Sequence, residues 1–427
     1  MHKDGQTMTP SLFDVRANDL SSEGVPVIRP WKRIALDPDY AGAWIVAGDV
    51  DGDGQVEIVS AKNFDADDVH YTSSVIVHRL DGSVLWRWGD PAGGRNTLHH
   101  DVACQIHDWD GDGRNEVVVA TKDAVVELDG ATGREKHRFP IPPDSADCIV
   151  FANLSGGDRA SEVLVKTRYG QIWAFTRDGE LLWTIEEPAG YGTAHQPRPM
   201  DIDGDGRDEI MAGYAMLNPD GTSRWDLAVG KLSIEPGHLD CVRVFEMGKT
   251  PRDSRLALTL CTGYCVAMID GDGGPVWSVT GHHFESIDVG KVCADVPGKQ
   301  VVVDIDHREV GYSPLWVLDD RGNLLGQIIT DGSRHHMLVD WFGGGLDSIV
   351  MGTAAAMFDG HGQKVGVFDV PAAEIGRCAK GDMTGDGRVD LVFWADPASE
   401  VCIFANKMGA KPNAPLPLGT GTNFTLY

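Results

Sequence analysis

The sequence predicts an all-β fold, an eight-bladed β-propeller whose blades are four-stranded antiparallel sheets. Three observations predict it: a repeated acidic nonapeptide, Asp-Gly turns that recur at intervals of roughly 40 to 50 residues, and short apolar strands that follow both. A unit of that length has room for four strands but cannot bury its apolar faces alone, so the units are expected to pack side by side in a ring. Seven blades are the alternative if one weak unit is a decoration.

The acidic nonapeptide Asp-x-Asp-Gly-Asp-Gly-x-x-Glu occurs at residues 49–57, 108–116 and 201–209, and a looser copy occupies 382–390. Alternate residues of a tight loop can point inward together, and the glycines permit the backbone angles that this requires. Several carboxylates facing inward form an oxygen cage for a hard cation, so we expect several structural Ca²⁺ sites. Apolar residues typical of strands follow each copy, so each loop is expected to join two strands. The predicted metal ligands are Asp49, Asp51, Asp53, Glu57, Asp108, Asp110, Asp112, Glu116, Asp201, Asp203, Asp205, Glu209, Asp382, Asp386 and Asp390.

The last unit holds the fourth acidic loop but lacks an outer strand of its own. Residues 25–36, which precede the first acidic loop, are predicted to supply that strand and to join the two ends of the chain. We therefore divide the sequence into an N-terminal extension, 1–24, and a single propeller domain, 25–427.

Composition narrows the partners and the location. A net charge of −27 repels phosphate backbones, so we do not expect nucleic acid to bind. No stretch approaches the roughly 20 apolar residues of a membrane span, so we expect no membrane association. No secretory leader is visible, which predicts a cytoplasmic protein, or a secreted or periplasmic one if a leader has been removed. We expect a monomer with reduced cysteines.

Seven of the fifteen histidines stand just before the predicted inner strand of a blade. In a propeller that segment lies at one mouth of the central channel, opposite the acidic loops, so five blades are expected to direct imidazoles into one funnel. These histidines are His99, His100, His195, His238, His283, His335 and His336. Neighbouring segments are expected to add Lys166, Arg168, Tyr169, Arg198, Tyr214, His307 and Arg334.

A funnel lined by imidazoles, cations and phenols suits a uronate-containing oligo- or polysaccharide. Cleavage by β-elimination needs a cation to neutralise the uronate carboxylate, a base near neutral pKa to take the C5 proton, and an acid for the leaving oxygen. His100 or His195 is predicted as the base, Arg198 or Arg334 as the carboxylate clamp, and Tyr169 as the acid. Two alternatives remain: an additional divalent metal in the funnel, serving a hydrolase or epimerase, and a non-catalytic lectin or adhesion propeller.

The acidic loops resemble FG-GAP and VCBS propeller repeats, and most of residues 44–427 resembles the propeller polysaccharide lyases. The likeness rests on His-His-Asp-Val-Ala from His99, Thr-Ala-His-Gln-Pro-Arg-Pro from Thr193, Gly-His-Leu-Asp from Gly237 and Ser-Arg-His-His from Ser333. This resemblance implies calcium at the acidic loops and elimination at a rhamnose–uronate bond, as in rhamnogalacturonan lyases or rhamnose–glucuronate lyases. It further implies that His99 or His100 is the base, with the other histidines around the substrate.

Overall fold

The computed structural model of the protein describes residues 7–8, 22–67, 69–98, 100–232, 237–306, 313–330, 336–409, 411 and 421–426. Within these residues the strands form eight sheets, each containing four antiparallel strands, which confirms the predicted eight-bladed propeller. Two of the sheets carry one additional short strand that pairs in parallel. No helix in the described part of the chain is long and apolar enough to span a membrane.

Three short strands come first: β1 (Thr7–Met8), β2 (Val27–Ile28) and β3 (Lys32–Ala35). Blade one comprises β4 (Trp44–Gly48), β5 (Glu57–Ala66), β6 (Val69–Arg79) and β7 (Val84–Gly89). Blade two comprises β8 (Cys104–His107), β9 (Glu116–Ala120), β10 (Ala124–Asp129) and β11 (Glu135–Pro140). Blade three comprises β12 (Ile149–Ala152), β13 (Glu162–Lys166), β14 (Gln171–Phe175) and β15 (Leu181–Glu186). Blade four comprises β16 (Arg198–Met200), β17 (Glu209–Met211), β18 (Ala215–Leu217) and β19 (Ser223–Asp226).

Blade five comprises β20 (Cys241–Glu246), β21 (Arg255–Leu260), β22 (Cys265–Asp270) and β23 (Pro275–Thr280). Blade six comprises β24 (Phe284–Gly290), β25 (Gln300–Ile305), β26 (Ser313–Leu318) and β27 (Leu324–Thr330). Blade seven comprises β28 (Met337–Val339), β29 (Ser348–Met351), β30 (Ala356–Phe358) and β31 (Lys364–Phe368). Blade eight contains β32 (Arg377–Gly381), β33 (Asp390–Trp394) and β34 (Glu400–Phe404). One short helix, α1 (Val229–Leu232), and the 3₁₀ turns Pro91–Gly93, Pro188–Gly190, Pro251–Asp253, Gly352–Ala354 and Ala372–Glu374 connect the strands.

The chain divides into two compact units of four blades each. The first unit, Arg29–Glu186 with Ala373–Leu426, holds blades one, two, three and eight. The second unit, Glu187–Ala372 with Met1–Ile28, holds blades four to seven. Each unit buries Val, Ile, Leu and aromatic side chains between its own sheets, the burial that a single sheet could not achieve.

The N-terminal strand β3 completes blade eight, as the sequence predicted. It pairs antiparallel with β34, with Lys32 opposite Ile403 and Ala35 opposite Glu400. The Trp31 amide donates a further hydrogen bond to the Ile403 carbonyl at 2.7 Å. Ile34, 1% exposed, faces the core. The blade is thus built from both ends of the described chain.

The tryptophans that follow the Asp-Gly turns tie neighbouring blades together within each unit. Nε1 of Trp86 in blade one donates to the Gly130 carbonyl of blade two at 2.7 Å. In the second unit, Nε1 of Trp225 donates to Gly271 at 2.9 Å and Nε1 of Trp277 to Asp320 at 3.0 Å. The recurrent Asp-Gly turn therefore supplies a carbonyl acceptor for the indole of the preceding blade, which explains why the two features repeat together.

Candidate functional site

The three full acidic motifs form loops between the first and second strands of blades one, two and four, where the sequence placed them. In the loop of blade one, the Asp49 carboxylate accepts the amides of Gly52 and Gly54 at 2.7 and 2.9 Å. Both glycines have positive φ, 77° and 84°, which side chains disfavour. One oxygen of Glu57 accepts the Val50 amide at 3.0 Å. Hydrogen bonds from backbone amides thus fix the first and last carboxylates of the motif.

Three carboxylates converge in each of these loops instead of the four predicted. Their oxygens lie within 4.8 Å of one another. The converging sets are Asp49, Asp51 and Asp53; Asp108, Asp110 and Glu116; and Asp201, Asp203 and Glu209. Glu57, Asp112 and Asp205 stand outside these sets; Asp112, for example, accepts the Arg114 amide at 2.9 Å.

The fourth acidic loop does not gather its carboxylates in this way among the described residues. Asp390, fully buried, accepts the amides of Met383 and Asn406 at 3.0 and 2.7 Å, so its oxygens hold the loop backbone. Asp386 instead forms an ion pair with Arg388 at 2.9 Å. Threonine replaces the second aspartate of the motif here, and the Asp390 carboxylate accepts amides within the loop. That Asp382, Asp386 and Asp390 bind a metal ion stays a prediction.

A basic side chain reaches each full loop, from the outer strand in blades two and four and from the end of the third strand in blade one. Nζ of Lys136 lies 2.6 Å from Asp110 and 2.7 Å from Glu116. Arg224 lies 2.8 Å from Asp203 and 2.9 Å from Glu209, with one nitrogen facing both carboxylates. In blade one Arg79 contacts Asp51 alone, at 3.1 Å. Burial and the neighbouring aspartates raise the pKa of Glu57 to about 7, although the Val50 amide opposes the shift.

The donor sets of the three full loops suit Ca²⁺, because every ligand atom is a carboxylate oxygen and the loops keep the oxygens close together. Among the described residues, the carboxylates of the blade-one loop are the least neutralised by basic side chains. Lys136 and Arg224 each contact the closing glutamate of their loop, whereas Arg79 contacts Asp51.

A buried polar cluster, which we call the His100 cluster, lies in the first unit and comprises His70, His100, Asp147, Lys166 and Arg168. Nη2 of Arg168 donates to Nδ1 of His100 at 2.5 Å, and Nη1 lies 3.5 Å from Asp147. Nζ of Lys166 donates to the other Asp147 oxygen at 2.5 Å. His70 contacts Asp147 through Nδ1 at 2.7 Å, and its ring lies 4.6 Å from that of His100.

Asp147 holds the cations of the His100 cluster in place. Burial alone would raise the pKa of Asp147, but the Lys166 ammonium, the hydrogen bond from His70 and the Arg168 guanidinium hold it far below its usual value. The carboxylate therefore stays charged and fixes Lys166 and Arg168. Arg168 also stacks on Tyr169, with the guanidinium carbon 4.7 Å from the ring centroid. Three blades contribute to this cluster: blade one through β6, blade two through the segment before β8, and blade three through the segment before β12 and through β13 and the residues after it.

A second cluster, which we call the His195 cluster, lies in the second unit and comprises His195, His238 and Asp240. Nε2 of His195 and Nε2 of His238 lie 3.1 and 3.0 Å from the same Asp240 oxygen. Neither oxygen of this buried carboxylate accepts a hydrogen bond of normal geometry from the described residues. Burial would raise the pKa of Asp240, but the imidazole of His195 and then that of His238 hold it below its usual value. One carboxylate and two imidazoles that converge in this way fit a divalent cation.

Other predicted residues divide between accessible and buried positions. His283 is only partly buried and contacts Cys261 and Glu285 in the second unit. Arg198 begins β16 and Tyr169 follows β13, and both are partly exposed.

Three residues predicted to contact substrate lie in the interior instead. Tyr214 is 0% exposed in an apolar cluster against Tyr191, and burial raises its pKa. His336 is buried, with Nε2 3.2 Å from the Val302 carbonyl. Lys166 is buried against Asp147. The sequence pattern identified their positions in the blades. It could not distinguish a side chain that packs between sheets from one that faces the predicted funnel.

His99, His307, Arg334 and His335 lie outside the described residues. The predictions for these four stay predictions.

The sequence pattern did not identify Asp147, Asp240 or Cys261 as site residues. Two signals were available. Asp240 follows His238 at a spacing of two, and Asp147 stands before the inner strand of blade three, the position where other blades carry histidine. Pairing of a carboxylate on one blade with cations on another depends on the packing of the sheets, which a single sequence does not reveal.

Comparisons with known proteins include rhamnogalacturonan lyases among the proteins that this chain resembles. The family model described as "Rhamnogalacturonan lyase family 11, C-terminal domain" matches residues 25–138. The rhamnogalacturonan endolyase YesW of Bacillus subtilis (strain 168) is 28% identical over 43% of this chain and 39% of its own length. The rhamnogalacturonan exolyase YesX of the same organism is 25% identical over 70% of this chain and 56% of its own length.

The crystal structure of rhamnogalacturonan lyase YesW superimposes with a TM-score of 0.61 at 18% identity, covering 90% of this chain and 77% of that one. This likeness supports the fold. The chain spans 39% and 56% of the lengths of the two curated relatives. These matches support the rhamnogalacturonan lyase type and give no support to the rhamnose–glucuronate type. Taken with the eight blades, they show that the chain resembles the propeller polysaccharide lyases.

Proposed function

We propose that this protein is a polysaccharide lyase that cleaves a rhamnose–uronate bond by β-elimination. The observation that carries the proposal is the contact between Arg168 and His100, held by the buried Asp147. A guanidinium beside an imidazole supplies two of the three groups that the reaction needs, and the names of the relatives in the comparisons agree with that chemistry.

The contact fixes the protonation of His100 before substrate arrives. Guanidinium can only donate, so Nδ1 of His100 accepts and the neutral ring carries its proton on Nε2. A uronate carboxylate binds Arg bidentately and competes for the same N–H groups. In the proposed reaction the uronate carboxylate accepts the Arg168 hydrogen bonds in place of His100. The lone pair on Nδ1 of His100 is then available to act as the base.

The elimination then proceeds without an external reagent. The C5–H bond breaks and its proton moves to Nδ1 of His100, while the electron pair forms the C4–C5 double bond. The C4–O bond breaks, and the leaving oxygen takes a proton from Tyr169, whose ring stacks on Arg168. Solvent restores both groups. Asp147 stabilises the imidazolium electrostatically, because its charge lies within the same buried cluster.

We further propose that the His195 cluster binds a divalent cation through His195, His238 and Asp240. The unsatisfied Asp240 oxygens support this role. Such a cation would supply a second positive charge for an acidic sugar. His195 is the alternative base if the cluster binds no metal.

Calcium is proposed as a structural ion at the full acidic loops of blades one, two and four. A uronate-containing glycan is the proposed partner. A monomeric state and the cellular location remain predictions.

The assay that tests the function is incubation with rhamnogalacturonan oligosaccharides while following the ultraviolet absorbance of the unsaturated uronate. A lyase raises the absorbance with one new chain end per cleavage. Saturated products without that absorbance would indicate a hydrolase. Binding without any cleavage would indicate a lectin, and either result would overturn the proposal.

A further inference from the structure

A thiol, an imidazole and a carboxylate meet where blades five and six are adjacent in the second unit. Cys261 follows β21 directly, and His283 stands immediately before β24, the strand that contains Glu285. Cys261 and Glu285 are buried at 5% and 3% exposure, whereas the His283 side chain is 15% exposed. Neither the lyase chemistry proposed above nor the acidic loops make use of these three side chains.

The three side chains present their ligand atoms to one point. Sγ of Cys261 contacts Nε2 of His283, and Oε1 of Glu285 lies 3.5 Å from the same nitrogen. All three atoms lie within 4.8 Å of one another. The opposite ring nitrogen, Nδ1, faces Oδ2 of Asp306 at 3.8 Å. His283 therefore turns Nε2 toward the thiol and carboxylate and Nδ1 toward a second, buried carboxylate.

This arrangement matches the way proteins hold zinc. Zinc accepts sulfur, nitrogen and oxygen ligands together, whereas Ca²⁺ and Mg²⁺ take oxygen alone. A histidine that binds zinc usually directs its other nitrogen at a carboxylate, as His283 does toward Asp306. The dication would also balance the thiolate and the Glu285 carboxylate, two charges that are costly to bury alone.

A nucleophilic cysteine is the rival interpretation, because Cys261, His283 and Asp306 are the residue types of a thiol triad. One contact disfavours it. Oε1 of Glu285 lies 3.5 Å from Nε2 of His283, the nitrogen that a triad reserves for the thiol. A carboxylate at that nitrogen would compete with the thiol for its proton, whereas a metal unites all three ligands.

We propose that Cys261, His283 and Glu285 bind one Zn²⁺ ion, with Asp306 orienting His283 from behind. Tetrahedral coordination separates sulfur and nitrogen by about 3.5 Å, so the thiol and imidazole move slightly apart as the metal enters. Three protein ligands leave a fourth position. Tyr264 is 40% exposed, and its ring lies 5.8 Å from the partly exposed imidazole of His283. These two side chains mark the accessible side of the site, where water or a small anionic ligand can bind the metal.

The test uses the full chain, stripped with a chelator, refilled with excess Ca²⁺ to occupy the oxygen-only loops, and titrated with Co²⁺ as a spectroscopic substitute for Zn²⁺. We expect a thiolate-to-cobalt charge-transfer band that saturates during the titration and is displaced by Zn²⁺. Cys261→Ser should abolish the band, and the control Cys265→Ala, four residues away, should retain it. Asp306→Asn should weaken Zn²⁺ binding by about 10- to 100-fold while keeping the band.

A second measurement covers the case in which Cys261→Ser does not fold. In the unmodified protein, Zn²⁺ should protect Cys261 from iodoacetamide, as mapped by peptide mass spectrometry. Absence of a charge-transfer band, persistence of the band in a folded Cys261→Ser protein, or alkylation of Cys261 at the same rate with and without Zn²⁺ would each overturn the proposal. The outcome is independent of the lyase assay, so the two proposals can fail separately.

Discussion

At the scale of single residues, the buried carboxylate of Asp147 holds the side chains of the His100 cluster in place, including Arg168, which contacts His100. Asp147 contacts two cations and an imidazole, and each contact comes from a different strand or flanking segment. Lys166 is fully buried and faces Asp147, so we assign it a positioning role and not substrate binding. Removing one member of such a group leaves the others charged without a partner.

Substituting Lys166 by methionine tests this positioning role. Lys166→Met leaves Asp147 short of its nearest cation in a buried site, so we expect the free energy of unfolding to fall by about 3–5 kcal/mol. The double variant Lys166→Met/Asp147→Leu should recover a large part of the loss. Lys122→Met, at an exposed position in the same unit, serves as the control. Denaturant unfolding measures all three, and equal stability of Lys166→Met and the control would contradict the account.

His336 makes the fold sensitive to acid. Burial lowers its pKa from 6.5 to about 4, against the opposing charge of Asp288 and the Val302 carbonyl. Between about pH 4 and 6.5, therefore, His336 is protonated in the unfolded chain but neutral in the folded chain. The stabilising contribution is complete above pH 6.5 and is lost as pH falls toward 4, amounting to about 3 kcal/mol at most.

His336→Gln should flatten this part of the pH–stability profile, because glutamine does not titrate. The change is read from unfolding midpoints between pH 4 and 7, with the exposed His361→Gln as the matched control. A His336→Gln profile parallel to that of the unmodified protein would show that the imidazole is not buried in its neutral form.

At the scale of elements, each full acidic loop is paired with a basic side chain from the third or fourth strand of its own blade. Lys136 on β11 bridges Asp110 and Glu116, the carboxylates that would bind a cation. The Lys136 ammonium therefore contacts the same oxygens that the proposed Ca²⁺ would bind. The sequence predicted the loops, because the motif fixes local backbone geometry. It did not predict the basic residue, since that contact depends on which outer strand packs over the loop.

Replacing this ammonium should increase the calcium dependence of stability. Lys136→Met removes the cation nearest to Glu116 and leaves Asp110 with the more distant Arg177, at 3.9 Å. The variant should therefore unfold at lower temperature without Ca²⁺ and gain more from adding it. At about 100 times the dissociation constant, binding contributes about 2.7 kcal/mol. Arg138→Met, exposed on the same strand, is the control. Melting curves with chelator and with Ca²⁺ provide the measurement, and identical calcium shifts in both variants would argue against metal binding at this loop.

At the scale of the whole molecule, the repeat spacing was sufficient to predict eight blades, the antiparallel order within them and the contribution of the N-terminal strand to blade eight. These features follow from periodicity, which a sequence displays directly. The candidate sites were only partly predictable. His100, Arg168, His195 and His238 were selected from their blade positions, whereas Tyr214, selected in the same way, packs into an apolar cluster. Which of these outcomes a side chain has depends on the packing of neighbouring sheets, which a single sequence does not display.

Initial rates of unsaturated uronate formation test most directly whether Arg168 and His100 perform the proposed elimination. His100→Ala should lower the rate by about 100- to 10,000-fold, as expected for the loss of a general base. Arg168→Lys, which keeps the charge but loses the bidentate fork, should lower it by about 10- to 100-fold. His361→Ala should retain full activity, and all three proteins should melt alike. A folded His100→Ala protein as active as the control would contradict the account.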